Sequence, residues 1–204
     1  MPPYFETVKS FVDVPISEKG VETQSFLEAS DGLVQLFDLL GSGVFGFVQA
    51  DIRGNIQGVR SRYETARDAS GTLESLVEHE HQECACSATQ VHKHGTPCLV
   101  RLIRGLAFTC KALQNMQADT SSELYPCFKR SYDEVLRHHH SFVIRSIVSV
   151  AIRAVPRRSD FYRSIAQGGS VERLDEELAN WLMGLDGIVK RMSTFLENGG
   201  YGKV

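Results

Sequence analysis

Residues 99–113 read LVRLIRGLAFTCKAL, and the spacing of their apolar side chains decides the kind of fold this chain can adopt. Leu99, Leu102, Ile103, Leu106, Cys110 and Leu113 recur at helical intervals, so they share one face of an α-helix. A half-buried strand would alternate instead.

The last segment repeats the pattern with Leu174, Leu178, Leu182, Leu185, Val189, Met192 and Leu196. Ser170 stands at its start as an N-cap, followed by Asp175, Glu176 and Glu177 near the positive end of the helix dipole. Asn198-Gly199-Gly200 at its end suits a left-handed cap. Upstream, a helix over Thr23 to Leu40 stops at Gly41-Ser42-Gly43, and another runs from Val44 towards Tyr63. Gly54 and Gly58 inside the latter cost about 1 kcal/mol each relative to alanine, which predicts close approach of a neighbour. Further helices are predicted over residues 72–82, 122–139, 140–154 (ended by Pro156) and 159–166. Residues 83–97 lack periodicity and read as a loop. No alternating strand pair and no repeat is visible. The reading is a single all-α domain over residues 1–204, with about eight helices and no sheet.

Composition narrows the function. Apolar residues at 42% and charged residues at 23% fit a folded globular chain rather than a disordered one. A net charge of −3 gives no basis for nucleic acid as a partner, although a local basic stretch runs from Arg145 to Arg163. The opening Met1-Pro2-Pro3-Tyr4 lacks the pattern of a signal peptide, and no apolar run is long enough to cross a bilayer. Five cysteines without a secretory signal predict free thiols in a reducing compartment, hence a cytoplasmic protein.

Several stretches, in order along nearly the whole chain, resemble the glycolipid transfer protein family. They are LFDLLGSGVF at 36–45, ADIRGNI at 50–56, RGL at 104–106, HSFVI at 140–144, AVPRRSDF at 154–161 and YGKV at 201–204. The resemblance implies a two-layer sandwich of eight helices that sheathes ceramide chains between its layers and holds a sphingolipid headgroup at its surface. It implies transfer without chemistry, no cofactor, a monomer, and transient peripheral contact with membranes.

A carrier of this kind must offset the lipid's preference for the bilayer. Each buried methylene is worth ~0.8 kcal/mol, so some thirty of them resist transfer to water by ~20 kcal/mol. By resemblance the apolar sleeve is lined by Phe37, Leu40, Val44 and Phe45 from the first half of the chain, and by Leu136, Val148, Phe161 and Ile165 from the second. An ordinary helical core has the same sequence signature. Asp51 and Asn55 lie four apart on one helix face, and their carboxylate and amide suit vicinal sugar hydroxyls. The resemblance gives these two the first sugar and gives His140 the ceramide amide oxygen. His138 and His139 are expected to be exposed bystanders.

Two departures from the glycolipid-binding pattern matter. A lysine expected one turn past Asn55 is Gly58, and a sugar-stacking tryptophan is Arg101. Arginine there is a feature of the ceramide-1-phosphate branch, where a planar guanidinium fork suits phosphate. That branch also has a lysine at the position of Asn55 and an arginine at that of Pro97. The chain as a whole is closer to the glycolipid branch, and the headgroup is left open between sugar and phosphate. Arg60 and Tyr201 are candidates for additional headgroup contact, while Trp181 lies in the final helix, too far along the chain to replace the missing tryptophan. Tyr132, Phe142, Val143, Arg157 and Arg158 are expected on a membrane-contacting rim, where aromatic rings insert and cations meet anionic lipid.

Rival readings remain. A sensor that binds lipid without shuttling it needs the same pocket. His79, His81, Cys84, Cys86, His92 and His94 supply zinc-ligand chemistry, although not at the spacing of a structural zinc site. No metal site is expected. A lipid hydrolase would need a nucleophile with an activating base, and no motif arranges one.

Overall fold

In a computed structural model, residues 2–39, 43–86 and 94–204 are described. Nine α-helices are found among them: α1 (Tyr4–Thr7), α2 (Thr23–Leu39), α3 (Gly46–Thr65), α4 (Leu73–Cys86), α5 (Gly95–Ala118), α6 (Leu124–Ser131), α7 (Phe142–Arg153), α8 (Arg158–Ala166) and α9 (Val171–Asn198). The only sheet among the described residues is a two-residue hairpin, β1 (Ile16–Ser17) against β2 (Gly20–Val21). No helix among them is long and apolar enough to cross a membrane.

The helix predicted from residues 99–113 is α5, and it is the hub, packing against α3, α4, α6 and α9. Its periodic face is buried, with Leu99, Ile103 and Leu106 fully enclosed. Its start differs from the predicted loop. Residues 83–86 complete α4 and residues 95–97 open α5. The cause is Glu80, whose buried carboxylate accepts from the backbone N–H groups of His94 (3.0 Å), Gly95 (2.8 Å) and Thr96 (2.7 Å). These are donors with no partner inside the helix, so one carboxylate from α4 caps it. Burial alone would raise the pKa of Glu80, but the bonds from Thr96, Gly95 and His94 outweigh it and hold the carboxyl below its ordinary value. Pro97 is tolerated because its missing N–H would have been unpaired anyway.

The caps of α9 follow the sequence. Ser170 Oγ accepts from Arg173 N at 3.2 Å. At the far end Gly200 takes a left-handed φ of +68°, and Tyr201 N bonds Leu196 O at 2.9 Å while Gly200 N bonds Glu197 O at 3.1 Å, a Schellman closure. Trp181 is a core residue, its ring 5.0 Å from that of Phe11 and 5.3 Å from that of Phe5.

The two glycines of α3 behave differently. A Cβ on Gly58 would lie 2.3 Å from Cys98 Sγ, so α3 and α5 meet there through the absent side chain. A Cβ on Gly54 would meet nothing within 4 Å, so the predicted close approach does not apply to it. The helix predicted over residues 122–139 is also broken. It continues past α6 as a π-helical turn at Tyr132–Leu136 and a 3-10 turn at Arg137–His139. At the junction the buried Ser131 hydroxyl donates back to Cys127 O (2.9 Å) and accepts from Asn115 Nδ2 (3.0 Å). Such back-bonding bends helices, and periodicity does not reveal it.

Candidate functional site

Beside the main core lies a smaller apolar cluster of Tyr132, Leu136 and Ile152, with Phe108 and Val148 against it. A cavity of about 240 Å³ opens between α3, α5, the π turn and α7. The face of α5 turned away from the core supplies Arg101, Arg104, Gly105 and Phe108 to its wall. Helix α3 contributes Phe47, Val48, Asp51 and Ile52, and α7 contributes Ile144 and Val148. His139 and His140 complete it from the turn before α7.

A chain of hydrogen bonds fixes the polar side of this cavity. Arg101 Nε donates to Asn55 Oδ1 at 3.0 Å, and Asn55 Nδ2 donates to Asp51 O at 2.9 Å and Asp51 Oδ2 at 3.3 Å. Arginine only donates and carboxylate only accepts, so the amide of Asn55 has one orientation that satisfies both. Asn55 is buried and does not line the cavity. It is the strut that holds Asp51 and Arg101, which do.

On the opposite side His140 Nδ1 lies 3.2 Å from Tyr132 Oη. Burial, with Arg104 and Arg145 adding to it and Asp51 opposing, lowers the pKa of His140 below its ordinary value. The ring is neutral at pH 7. Burial raises the pKa of Tyr132, which stays a phenol and needs an acceptor. With Oη–H donating to Nδ1, the His140 proton sits on Nε2 and can be donated to a ligand oxygen.

Each expected residue can now be placed. Asp51, Arg101 and His140 converge on one cavity, and Phe37, Leu136 and Val148 line it. Phe45 is buried and backs Phe37, with ring centroids 6.0 Å apart. Phe161 and Ile165 belong to the main core instead, because α8 packs on α2 and α9. Leu40 and the side chain of Val44 lie outside the described residues. Arg60 points away, pairing with Asp31 on α2 at 2.7 Å. Tyr201 meets His81 edge-on, with ring centroids 4.4 Å apart, and is not part of the wall.

Of the expected rim, Phe142 is 83% and Val143 65% exposed, and Arg157 is exposed. Tyr132, at 4%, is buried, so it is not one of the exposed rim side chains. Arg158 is a structural tie, its guanidinium donating to the carbonyls of Met116 (2.9 Å), Asp119 (2.7 Å) and Ser122 (2.7 Å).

Two wall residues escaped the sequence reading. His139, expected to be exposed, is half-buried on the cavity wall from the 3-10 turn, its ring 4.0 Å from that of the exposed His138. Its Nε2 is buried and has no hydrogen-bond partner among the described residues. Burial, helped by Arg104 and the neighbouring histidines, pulls its pKa down to about 4. Arg104 lies one turn from Arg101 on the same face, a spacing that could have found it. Its Nε donates to Lys203 O at 2.7 Å and ties the C-terminal tail to the cavity.

Among the described residues no three or more His, Cys, Asp or Glu side chains come together to hold a metal ion. His79 faces Arg62 at 2.7 Å, while His92 and the side chain of Cys86 lie outside the described residues.

Comparison with known proteins fits this geometry. The family model for glycolipid transfer protein (GLTP) matches residues 21–167. The chain belongs to the glycolipid transfer protein family. It is 40% identical over 194 residues to a glycolipid transfer protein of Aureobasidium melanogenum, covering 95% of this chain and 92% of that one. The crystal structure of the fungal glycolipid transfer protein HET-C2 superposes with a TM-score of 0.87 at 38% identity, covering 95% of this chain and 96% of that one. Mouse ceramide-1-phosphate transfer protein shares the fold, with a TM-score of 0.85 at 21% identity and coverage of 98% of each chain. The all-α, two-layer GLTP fold is thus the fold of this chain.

Close packing of α3 on α5 shapes the wall beside this site. A side chain at Gly58 would crowd Cys98, whose Sγ lies 2.3 Å from where the Cβ would stand. The cations on the cavity wall, Arg101 and Arg104, come from α5.

Proposed function

We propose that this protein carries one sphingolipid at a time between membranes and leaves it chemically unaltered, with a glycosphingolipid as the preferred cargo. The observation that carries the reading is the convergence of Asp51, Arg101 and His140 on a single apolar cavity. Asp51 accepts from headgroup hydroxyls and the ceramide amide N–H. His140 donates from Nε2 to the amide oxygen. Arg101, set by Asn55, donates to the headgroup, and the tails enter between Phe37, Leu136 and Val148.

A cavity of about 240 Å³ cannot enclose two hydrocarbon chains, since pockets for drug-sized ligands already span ~300–1,000 Å³. The walls must part on loading. The small cluster around Tyr132, Leu136 and Ile152 is the side that yields, because it buries far less apolar surface than the main core. Phe142 and Val143, exposed at the start of α7, insert at the membrane surface beside the moving wall.

Sugar is favoured over phosphate by the state of the arginines. Arg101 has Nε on Asn55 and Nη2 on Cys98 Sγ (3.5 Å), and Arg104 has Nε and Nη2 on Lys203 O. The Nε–Nη2 edge that grips phosphate side-on is occupied in both. A ceramide-1-phosphate carrier is the second reading, supported by two guanidiniums on one wall that each retain Nη1. Vesicle-to-vesicle transfer of labelled galactosylceramide and ceramide-1-phosphate, side by side, tests the proposal. Faster galactosylceramide supports the first reading, and faster ceramide-1-phosphate the second. Binding of either lipid with transfer no faster than spontaneous exchange would make the protein a sensor.

A further inference from the structure

Helix α7 has two working faces. Ile144 and Val148 turn towards the lipid cavity, whereas Arg145, Ser149 and Arg153 turn the other way. That outer face forms one side of a separate groove of about 590 Å³, whose other side is α6 and the turns after it. Four cations line the groove, Lys129, Arg137, Arg145 and Arg153, against one acid, Asp133. Asp133 pairs with Lys129 at 2.6 Å and Arg137 at 3.2 Å, so the groove keeps a cationic surplus. Arg145 donates through Nε to Arg137 O at 3.0 Å, which fixes its guanidinium in the groove. The exposed hydroxyls of Ser146 and Ser149 lie between the cations, and apolar Phe142, Val150 and Tyr125, all exposed, complete the lining.

Cations and hydroxyls flanked by exposed apolar side chains match a ligand with a phosphate joined to hydrocarbon. We infer that this groove is a second lipid site, which takes the phosphate headgroup of an anionic phosphoglyceride in the membrane on which the protein lands. Guanidiniums grip phosphate oxygens by charge-assisted hydrogen bonds, and Phe142 and Val150 enter the headgroup layer around it. The phosphoglyceride stays in the bilayer and is not cargo. The groove also reaches the cargo site, because Tyr132 lines it while its hydroxyl holds His140 of the cavity. Engagement of the groove therefore presses on the wall that must open for loading.

The test uses vesicles without sphingolipid, so its outcome is independent of cargo transfer. Binding of the full chain is measured by co-sedimentation with phosphatidylcholine vesicles carrying phosphatidic acid. The reference is phosphatidylcholine vesicles carrying cholesteryl hemisuccinate, an anion without phosphate, at matched zeta potential. We expect clear preference for phosphatidic acid, and a loss on the order of tenfold or more in the Arg145→Gln/Arg153→Gln double variant. Ser149→Glu, a change at an exposed position, should cause a similar loss with helicity intact by circular dichroism. Equal binding to both vesicles, or undiminished binding by both variants, overturns the site. Calorimetric titration with inorganic phosphate separates the sources: tight binding of free phosphate without preference for phosphatidic acid vesicles overturns the lipid assignment.

Discussion

Tyr132 Oη and His140 Nδ1 lie 3.2 Å apart, so a buried phenol on the π turn sets the tautomer of a histidine on the cavity wall. That bond holds the His140 proton on Nε2, where the N–H faces a ligand oxygen. Tyr132→Phe removes the bond and keeps the ring that packs near Phe108 at 6.3 Å. Lipid affinity should fall about three- to tenfold, as expected for one hydrogen bond of 0.5–1.5 kcal/mol. The 15N shifts of His140 should change from a pure Nε2–H form to a mixture of tautomers. Unchanged shifts would show that Tyr132 only packs.

Asp51 is the only carboxylate on the cavity wall among the described residues. Asp51→Val should reduce transfer at least tenfold, since a hydrogen bond to a charged group is worth about 1.5–3 kcal/mol. Far-UV circular dichroism should stay unchanged, because Asp51 is exposed and Asn55 still has its backbone carbonyl to bond. Retained transfer would remove Asp51 from the headgroup assignment.

Arg101 lines the cavity and bonds Asn55. Arg101→Trp supplies an apolar face for a sugar ring and removes a cation, so the ratio of galactosylceramide to ceramide-1-phosphate transfer should rise severalfold. An unchanged ratio would mean that Arg101 does not select the headgroup. The change also releases Asn55, so affinity for both lipids should be measured alongside the ratio.

Helix periodicity was legible because burial repeats with the helix: Leu99 to Leu113 and Leu174 to Leu196 predicted two long core helices and their facing sides. The caps at Ser170 and Gly200 were legible because they depend on local chemistry. What stayed hidden depends on distant atoms. Glu80 turns an aperiodic stretch into the start of α5 from fourteen residues away. The Ser131 junction breaks a helix whose pattern looked continuous, and the turn after it places His139 on the cavity wall. Tyr132 and Arg158 had the composition of a membrane rim, but the fold uses one as a strut and the other as a tie. Phe161 and Ile165 could not be separated from tunnel residues, because core and tunnel demand the same side chains.

Gly58 and Gly54 make a matched pair within α3. Gly58→Ala sets a methyl 2.3 Å from Cys98 Sγ in a buried contact, and should cost about 1–3 kcal/mol through overpacking. Because Cys98 Sγ also accepts from Arg101, lipid affinity should fall with stability. Gly54→Ala meets nothing within 4 Å and should stabilise by about 1 kcal/mol, through helix propensity alone. Denaturant unfolding of both variants checks the contrast. Equal effects would mean that α3 and α5 do not meet at Gly58.

His139 makes the cavity wall sensitive to acid. Its pKa falls from an ordinary 6.5 to about 4 in the folded chain, chiefly through burial. The unfolded chain therefore binds a proton that the folded one refuses as pH drops below 6.5. The stability contributed by keeping this ring neutral is complete above pH 6.5 and is lost progressively as pH falls towards 4. His140, shifted in the same direction, adds to the loss. Partial solvent access screens the effect. Melting temperatures of wild type and His139→Gln across this range decide it. The variant should lose less stability on acidification, because glutamine has no proton to bind. Parallel curves would mean that His139 is as easily protonated in the folded chain as in the unfolded one.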